Sequence, residues 1–89
     1  MNILEEAQSL VEGARREAYG HPYDDFKAVT GAAQALGICP GQWEDPVANA
    51  QHHALYMVLV KIQRLVQTPG HRDSIVDGAG YFYTYEKVS

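Results

Sequence analysis

Two cations and two carboxylates in the second half of the chain have the spacing of a site for a phosphate and a metal ion. Lys61 and Arg64 lie three residues apart, and Asp73 and Asp77 lie four residues apart after a proline-glycine break. In helices, both spacings bring the side chains onto one flank. A short turn at the break makes the two helices antiparallel neighbours, so the cations should face the carboxylates.

This charge cluster has two interpretations. In the first, Lys61 pairs with Asp77 and Arg64 with Asp73, and these interhelical ion pairs fix the register of the hairpin; exposed pairs contribute less than about 1 kcal/mol each. In the second, Asp73 and Asp77 hold a magnesium ion through carboxylate oxygens, while Lys61 and Arg64 bind the phosphates that it bridges. A strong magnesium site would need a third carboxylate from elsewhere.

Three more residues are candidates for ligand binding. Tyr19 and His21 flank a glycine directly before a predicted helix, whose N-terminal N–H groups can accept an anion. The alternative is a simple corner between two helices. His53 lies on the helical flank that carries Arg64 and could join the cationic side of the cleft, or form the polar edge of a helix interface. Adjacent His52 points about 100° away, so the two histidines cannot share one metal ion.

Apolar residues at helical spacing predict an all-α, four-helix domain with a C-terminal antiparallel hairpin. The last helix should carry Ile75, Val76, Ala79, Phe82 and Tyr83 inward. Its aromatic end could also form a short strand or pack onto a second subunit. The predicted helices cover residues 3–18, 22–36, 47–68 and 71 to near the C-terminus. Gly37 is the expected C-terminal cap of the second helix, and Asp45 followed by Pro46 is the expected start of the third.

Size and composition restrict the class of protein. A chain of 89 residues is a single domain, 1–89, near the lower limit for a self-sufficient core, which favours a homo-oligomer. The net charge of -4 argues against binding a DNA or RNA duplex. The single cysteine, Cys39, fits a reducing cytoplasm, and no apolar run is long enough to cross a membrane. We therefore expect a soluble, cytoplasmic protein.

Several of these segments together resemble a family of short, uncharacterised bacteriophage and prophage proteins. The resemblance covers nearly the whole chain and would place the protein in the cytoplasm of the host cell. It is carried by the segments Tyr19-Gly20-His21-Pro22, Asp45-Pro46-Val47, Lys61-Ile62-Gln63-Arg64-Leu65 and the run from His71 to Tyr81.

That phage family in turn resembles the all-α nucleotide pyrophosphohydrolases of the MazG type, which use magnesium held by acidic motifs on two helices. Only Asp73 and Asp77 match the second acidic motif, with a spacing one residue longer, and the first motif is missing. The resemblance implies nucleotide binding, and magnesium-dependent hydrolysis only if a catalytic site is present. The rival hypothesis is a non-enzymatic helical protein that binds itself or a host protein through its aromatic residues.

Overall fold

Helices account for most of the chain in the computed structural model, which describes residues 2–89 without the side chains of residues 14, 18 and 19. No strand occurs among the described residues, so the predicted all-α class is confirmed. The helical segments are α1 (Ile3–Glu12), α2 (Ala14–Tyr19), α3 (Pro22–Leu36), α4 (Pro46–Gln67) and α5 (Arg72–Val88).

The helix boundaries follow from capping residues. Asp45 accepts a hydrogen bond from the Val47 N–H at 3.0 Å, and Pro46 occupies the first position of α4. Asp45 thus satisfies an N–H that lacks an intrahelical partner. Proline is tolerated at the first helical position, because the N–H that it lacks would have no intrahelical partner there. Gly37 ends α3 in the left-handed region, with φ of 72°. These predicted starts and stops are confirmed.

The predicted first helix is divided at Gly13 into α1 and α2, which corrects the continuous helix expected over residues 3–18. The Gly13 N–H still donates to the Ser9 carbonyl oxygen at 2.9 Å. A Cβ at this position would lie only 2.7 Å from that oxygen, so the local backbone requires glycine. The break lets α2 turn toward α3 and α4.

The longest helix, α4, contacts α2, α3 and α5. The buried apolar side chains among the described residues are small: Val29 and Ala33 on α3, and Ala54 and Val58 on α4. Small side chains allow the two helix backbones to approach closely. Since α4 has neighbours on several sides, two side chains three residues apart, about 60° around its axis, can contact different helices.

Helices α4 and α5 run in opposite directions along their contact. Gln51 near the start of α4 donates to Ser89 Oγ after the end of α5, at 3.0 Å, and Lys61 pairs with Asp77 further along. The α5 residues turned toward α4 are fully or partly buried; they are Ser74, Gly78, Tyr81, Tyr85 and Val88.

The predicted inward face of α5 is therefore wrong. Ile75, Val76, Phe82 and Tyr83 are each more than half exposed, whereas Ser74 is 1% exposed. The small residues at positions 74 and 78 face α4 and permit close approach, and this places the larger apolar side chains on the outside. The aromatic end of α5 stays helical to Val88.

The connection between α3 and α4 is an ordered loop held by one side chain. Asn49 Oδ1 accepts from the backbone N–H groups of Gly41 and Trp43 at 3.1 and 3.0 Å. The Trp43 ring lies against His52 with a centroid distance of 4.8 Å. None of the described helices combines the length and apolar composition needed to cross a membrane.

Candidate functional site: an arginine cavity between α2, α3 and α4

The two cations of α4 have different surroundings. Lys61 Nζ lies 3.1 Å from Asp77 Oδ2, which is the ion pair expected under the first interpretation of the charge cluster. The Lys61 side chain is 10% exposed and that of Asp77 is 52% exposed. This pair joins α4 to α5, and a Cβ placed on Gly78 would lie 3.7 Å from the Lys61 Cβ. Lys61 is therefore part of a packed helix contact.

Arg64 faces other neighbours, although it is offset from Lys61 by only about 60° around the helix axis. It lines a cavity of about 230 Å³ that is formed by α1, α2, α3 and α4. Arg15 and Arg16 of α2 line the same cavity, so three of the seven Lys and Arg residues of an acidic chain converge there. We call this the arginine cavity; its other lining residues are Val11, Gly20, Pro22, Asp25 and Phe26.

Asp25 is the carboxylate of the arginine cavity. It is 7% exposed, and its Oδ1 has no hydrogen-bond partner among the described residues. Burial raises the pKa of the Asp25 carboxyl, because desolvation disfavours the charged form, and the positive charge of Arg64 opposes part of that rise. The cavity thus combines three cations with one buried carboxyl group whose charge is costly to maintain.

Tyr19 and His21, the residues predicted to bind a ligand at the start of α3, are adjacent in sequence to residues that line this cavity. Gly20 and Pro22 line it, and His21 between them is the N-cap of α3. The Tyr23 N–H donates to His21 Nδ1 at 3.1 Å, so the His21 ring caps its own helix. The side chain of Tyr19, the other of these two residues, lies outside the described residues.

The start of α3 offers little to an anion. Pro22 has no N–H, and the N–H of Tyr23 is bonded to His21. Asp24 and Asp25 in the first turn place carboxylates where the helix dipole attracts negative charge. The positive charge at the arginine cavity therefore comes from Arg15 and Arg16 of α2 and Arg64 of α4, and not from the backbone N–H groups that begin α3.

Gly20 shapes the turn beside the cavity. Its φ of 79° lies in the left-handed region that favours glycine. A Cβ there would lie 3.1 Å from the Gln67 side-chain amide carbon. Both the backbone conformation and the close approach of α4 therefore favour glycine at this corner.

Three of the residues predicted to form the site do not line the arginine cavity: Asp73, Asp77 and His53. Asp73 is exposed in the first turn of α5, and Asp77 is bonded to Lys61. His53 is exposed on α4 and does not line the cavity. Within residues 2–89 as described, no three His, Cys, Asp or Glu side chains are grouped so that they could hold a metal ion. Magnesium binding at Asp73 and Asp77 stays a prediction.

The sequence interpretation missed five lining residues: Val11, Arg15, Arg16, Asp25 and Phe26. Adjacent arginines near the C-terminal end of a helix are already explained by the helix dipole, and Phe26 has the helical spacing of a core-facing apolar residue. Phe26 is 69% exposed at the cavity instead. One sequence feature could have indicated the arginines as lining residues: Arg15 and Arg16 lie only a few residues before the chain break at Gly20.

Comparison with known proteins places the chain among phage proteins. It is 40% identical over 87 residues to the Gene 55 protein of Mycobacterium phage D29, covering 98% of this chain and 53% of that protein. It is 29% identical over 89 residues to the Gene 55 protein of Mycobacterium phage L5, covering 99% of this chain and 53% of that protein. The chain thus spans about half the length of these curated relatives.

A family model described as a domain of unknown function, DUF6378, matches residues 2–89. No solved structure matches the chain. The matches agree with the predicted phage family and give no support to the further resemblance to MazG-type pyrophosphohydrolases. With nearly every residue matched, the chain belongs to the DUF6378 family, which has relatives in mycobacteriophages.

Proposed function

We propose that this domain binds a phosphorylated small molecule, of the nucleotide class, in the arginine cavity. The observation that carries the proposal is the convergence of Arg15, Arg16 and Arg64 on one cavity in a chain with a net charge of -4. Guanidinium groups bind phosphate oxygens through paired, charge-assisted hydrogen bonds. The local excess of positive charge in an acidic protein favours a compact anionic ligand over a nucleic-acid backbone.

The dimensions of the cavity suit part of such a ligand. Its volume of about 230 Å³ is below the range of roughly 300–1,000 Å³ that is usual for pockets enclosing drug-sized molecules. A phosphate and its attached sugar would fill the interior. The exposed ring of Phe26, with Val11 beside it in the lining, offers an apolar surface on which a base could rest.

Asp25 gives the cavity a way to orient its contents. The positive charge of Arg64 acts on the Asp25 carboxyl and lowers its pKa against the effect of burial, and a carboxyl oxygen accepts hydrogen bonds from ligand hydroxyl or amino groups. Inorganic phosphate at neutral pH offers few donors, whereas a sugar phosphate offers several. The presence of Asp25 among three arginines therefore favours a phosphorylated sugar or nucleotide as the ligand class.

The proposed site differs from the site predicted from the sequence in the residues of α4 that it includes. Arg64 and the neighbourhood of Tyr19 and His21 remain part of it, while Lys61 belongs to the contact with α5. Magnesium enters the proposal as an ion that accompanies the phosphates, and Asp73 and Asp77 are the carboxylates first predicted to hold it. Hydrolysis of the ligand would be a separate property, measured as release of pyrophosphate.

Isothermal titration calorimetry tests the proposal with four compounds, each with and without magnesium: adenosine, ribose 5-phosphate, ADP and inorganic phosphate. We expect saturable binding of ribose 5-phosphate and ADP, weaker binding of inorganic phosphate, and none of adenosine. Arg16→Gln should weaken the binding of ADP. Arg72→Gln is the matched control, because Arg72 is exposed at the start of α5 and outside the cavity.

Two outcomes would contradict the proposal. One is that no phosphorylated compound binds with or without magnesium. The other is that Arg72→Gln weakens binding as much as Arg16→Gln does, since this would indicate attraction to the overall surface and not to the cavity.

A second candidate function, self-association, is favoured by the surface area of the chain. A monomer of 9.9 kDa is expected to expose about 5,200 Å². This chain exposes 6343 Å², about 1,100 Å² more. Standard protein interfaces bury about 800 Å² on each partner. The excess surface is therefore large enough to form one interface with a second copy.

A further inference from the structure

We propose that two copies of the chain associate through the outer face of α4 and α5, so that the four helices of the two copies form a bundle. This inference rests on the proposed self-association and names the surface that carries it. The surface is a shallow apolar hollow of about 330 Å³ between the two helices. We call it the α4–α5 hollow; its larger apolar lining residues are Val58, Ile62, Leu65, Ile75 and Phe82, with Ala79 among them.

The spacing of these residues is that of a bundle interface. On α4 the lining residues fall at positions 58, 62 and 65, and on α5 at 75, 79 and 82. Both helices therefore repeat the steps of four and three residues that are found at the facing positions of helical bundles. An antiparallel helix pair with such a stripe on each helix buries its apolar surface by packing on a second pair.

The residues that would be covered are exposed in the single chain. Ile62, Ile75 and Phe82 are 49%, 52% and 58% exposed. Gly78 and Ala79 also line the hollow, and their small size leaves room for an inserted side chain. In an arrangement with twofold symmetry, Phe82 of each copy would enter the hollow of the other, because the same surface serves both copies. Aromatic residues that fill a pocket in this way dominate interface energies.

A second copy is the occupant that fits the surface best. The excess exposed area of the chain, about 1,100 Å², exceeds the roughly 800 Å² that each partner contributes to a standard interface. The radius of gyration of 14.6 Å is also above the value of about 12 Å expected for a compact domain of this length. Packing the hollows together would bring the exposed area per chain closer to that of a folded domain.

Helix α1 also exposes apolar residues and offers a competing surface. Ile3, Leu4 and Leu10 are 84%, 80% and 56% exposed. However, α1 is a single helix of 10 residues and provides one apolar stripe. The α4–α5 hollow provides two apolar stripes side by side, one on each helix, with a depression between them. The variants below distinguish the two surfaces.

Sedimentation equilibrium over a range of concentrations tests the inference. The wild-type chain should have twice the 9.9 kDa mass of one chain. Phe82→Ser should raise the dimer dissociation constant about 30-fold or more, as expected for a central aromatic residue of an interface. Phe26→Ser is the matched control, because Phe26 is similarly exposed but lies at the arginine cavity. Circular dichroism should give the same helix content for both variants.

The possible outcomes test self-association and its assignment to the α4–α5 hollow separately. A wild-type chain that stays monomeric at all concentrations overturns both claims. A wild-type dimer that is unaffected by Phe82→Ser, or is disrupted equally by Phe26→Ser, overturns the assignment to the α4–α5 hollow. A dimer disrupted by Leu10→Ser but not by Phe82→Ser would assign the interface to α1 and leave self-association intact.

Discussion

Lys61 and Arg64 are one helical turn apart on α4, yet they serve two different regions of the molecule. Lys61 is nearly buried against α5, where Asp77 lies 3.1 Å away. Arg64 lines the arginine cavity with two more arginines and with Asp25, a buried carboxyl of raised pKa. Each cation has an acidic neighbour, but Asp77 is half exposed to water and Asp25 is almost fully buried.

The difference shows that spacing on a helix does not by itself make two side chains members of one site. The central helix has neighbours on several sides, so an offset of three residues, about 60° around the axis, is enough to change the partner helix. On one side the positive charge is neutralised and contributes to packing. On the other side three arginines line one cavity, and this local excess of positive charge is what supports the proposed anionic ligand.

The larger of the two stability effects should come from the Lys61–Asp77 pair. We expect Asp77→Asn to destabilise the fold more than Lys61→Met does, because it leaves a nearly buried ammonium group without its counter-charge. Lys61→Met keeps the apolar stem and leaves a carboxylate that water can solvate. The coupling energy in a double-mutant cycle should be about 1 kcal/mol or less, since one partner is half exposed. Urea denaturation followed by circular dichroism measures these values.

Asp73→Asn is the matched control for this cycle. Asp73 is an exposed carboxylate one turn earlier on α5 and forms no ion pair with the described residues. Its substitution should leave the stability nearly unchanged and show no coupling to Lys61→Met. Equal effects of Asp73→Asn and Asp77→Asn would mean that the general charge of α5, and not the specific pair, interacts with Lys61.

A smaller effect, visible mainly as a dependence on pH, should come from Asp25. Because its pKa in the folded chain is raised above the ordinary value of 3.8, the folded state retains a proton that the unfolded state has lost. The free energy of unfolding should therefore fall as the pH rises from about 3.8 through the raised pKa. Asp25→Asn removes this dependence, so the variant should gain stability relative to the wild type above that window and not below it.

Asp24→Asn is the control for the pH series. Asp24 is the neighbouring carboxylate in the first turn of α3 and is exposed. Its variant should keep the wild-type fall in stability across the same window. If Asp25→Asn instead destabilises the fold at neutral pH, the attraction between Asp25 and Arg64 outweighs the cost of burying the carboxylate, contrary to the order of effects inferred here.

Local signals in the sequence predicted the helices well. The Asp45-Pro46 start, the Gly37 cap and the helical spacing of apolar residues correspond to elements of the structure. These features depend on hydrogen bonds and backbone preferences within a few residues, which the sequence displays directly. The division at Gly13 was missed because a single glycine in a helical pattern is often tolerated.

Contacts between helices were harder to predict. Lys61 and Asp77 meet as the first interpretation expected, but the apolar residues of α5 were assigned to the wrong face. A stripe of small residues and a stripe of large apolar residues can each serve as a contact face, and the close approach of α4 selects the small one. For the same reason, the neighbours of Arg64 on α2 and α3 could not be inferred from spacing along α4.

The most direct test compares the two cations of α4 in ligand binding. Isothermal titration calorimetry with ADP should show that Arg64→Gln raises the dissociation constant about 10-fold or more, since hydrogen bonds to charged groups contribute about 1.5–3 kcal/mol. Lys61→Gln should bind ADP nearly as well as the wild type, because Lys61 lies outside the arginine cavity. Equal losses in the two variants, or unchanged binding by a folded Arg64→Gln, would contradict the division of the two residues between a ligand cavity and a structural contact.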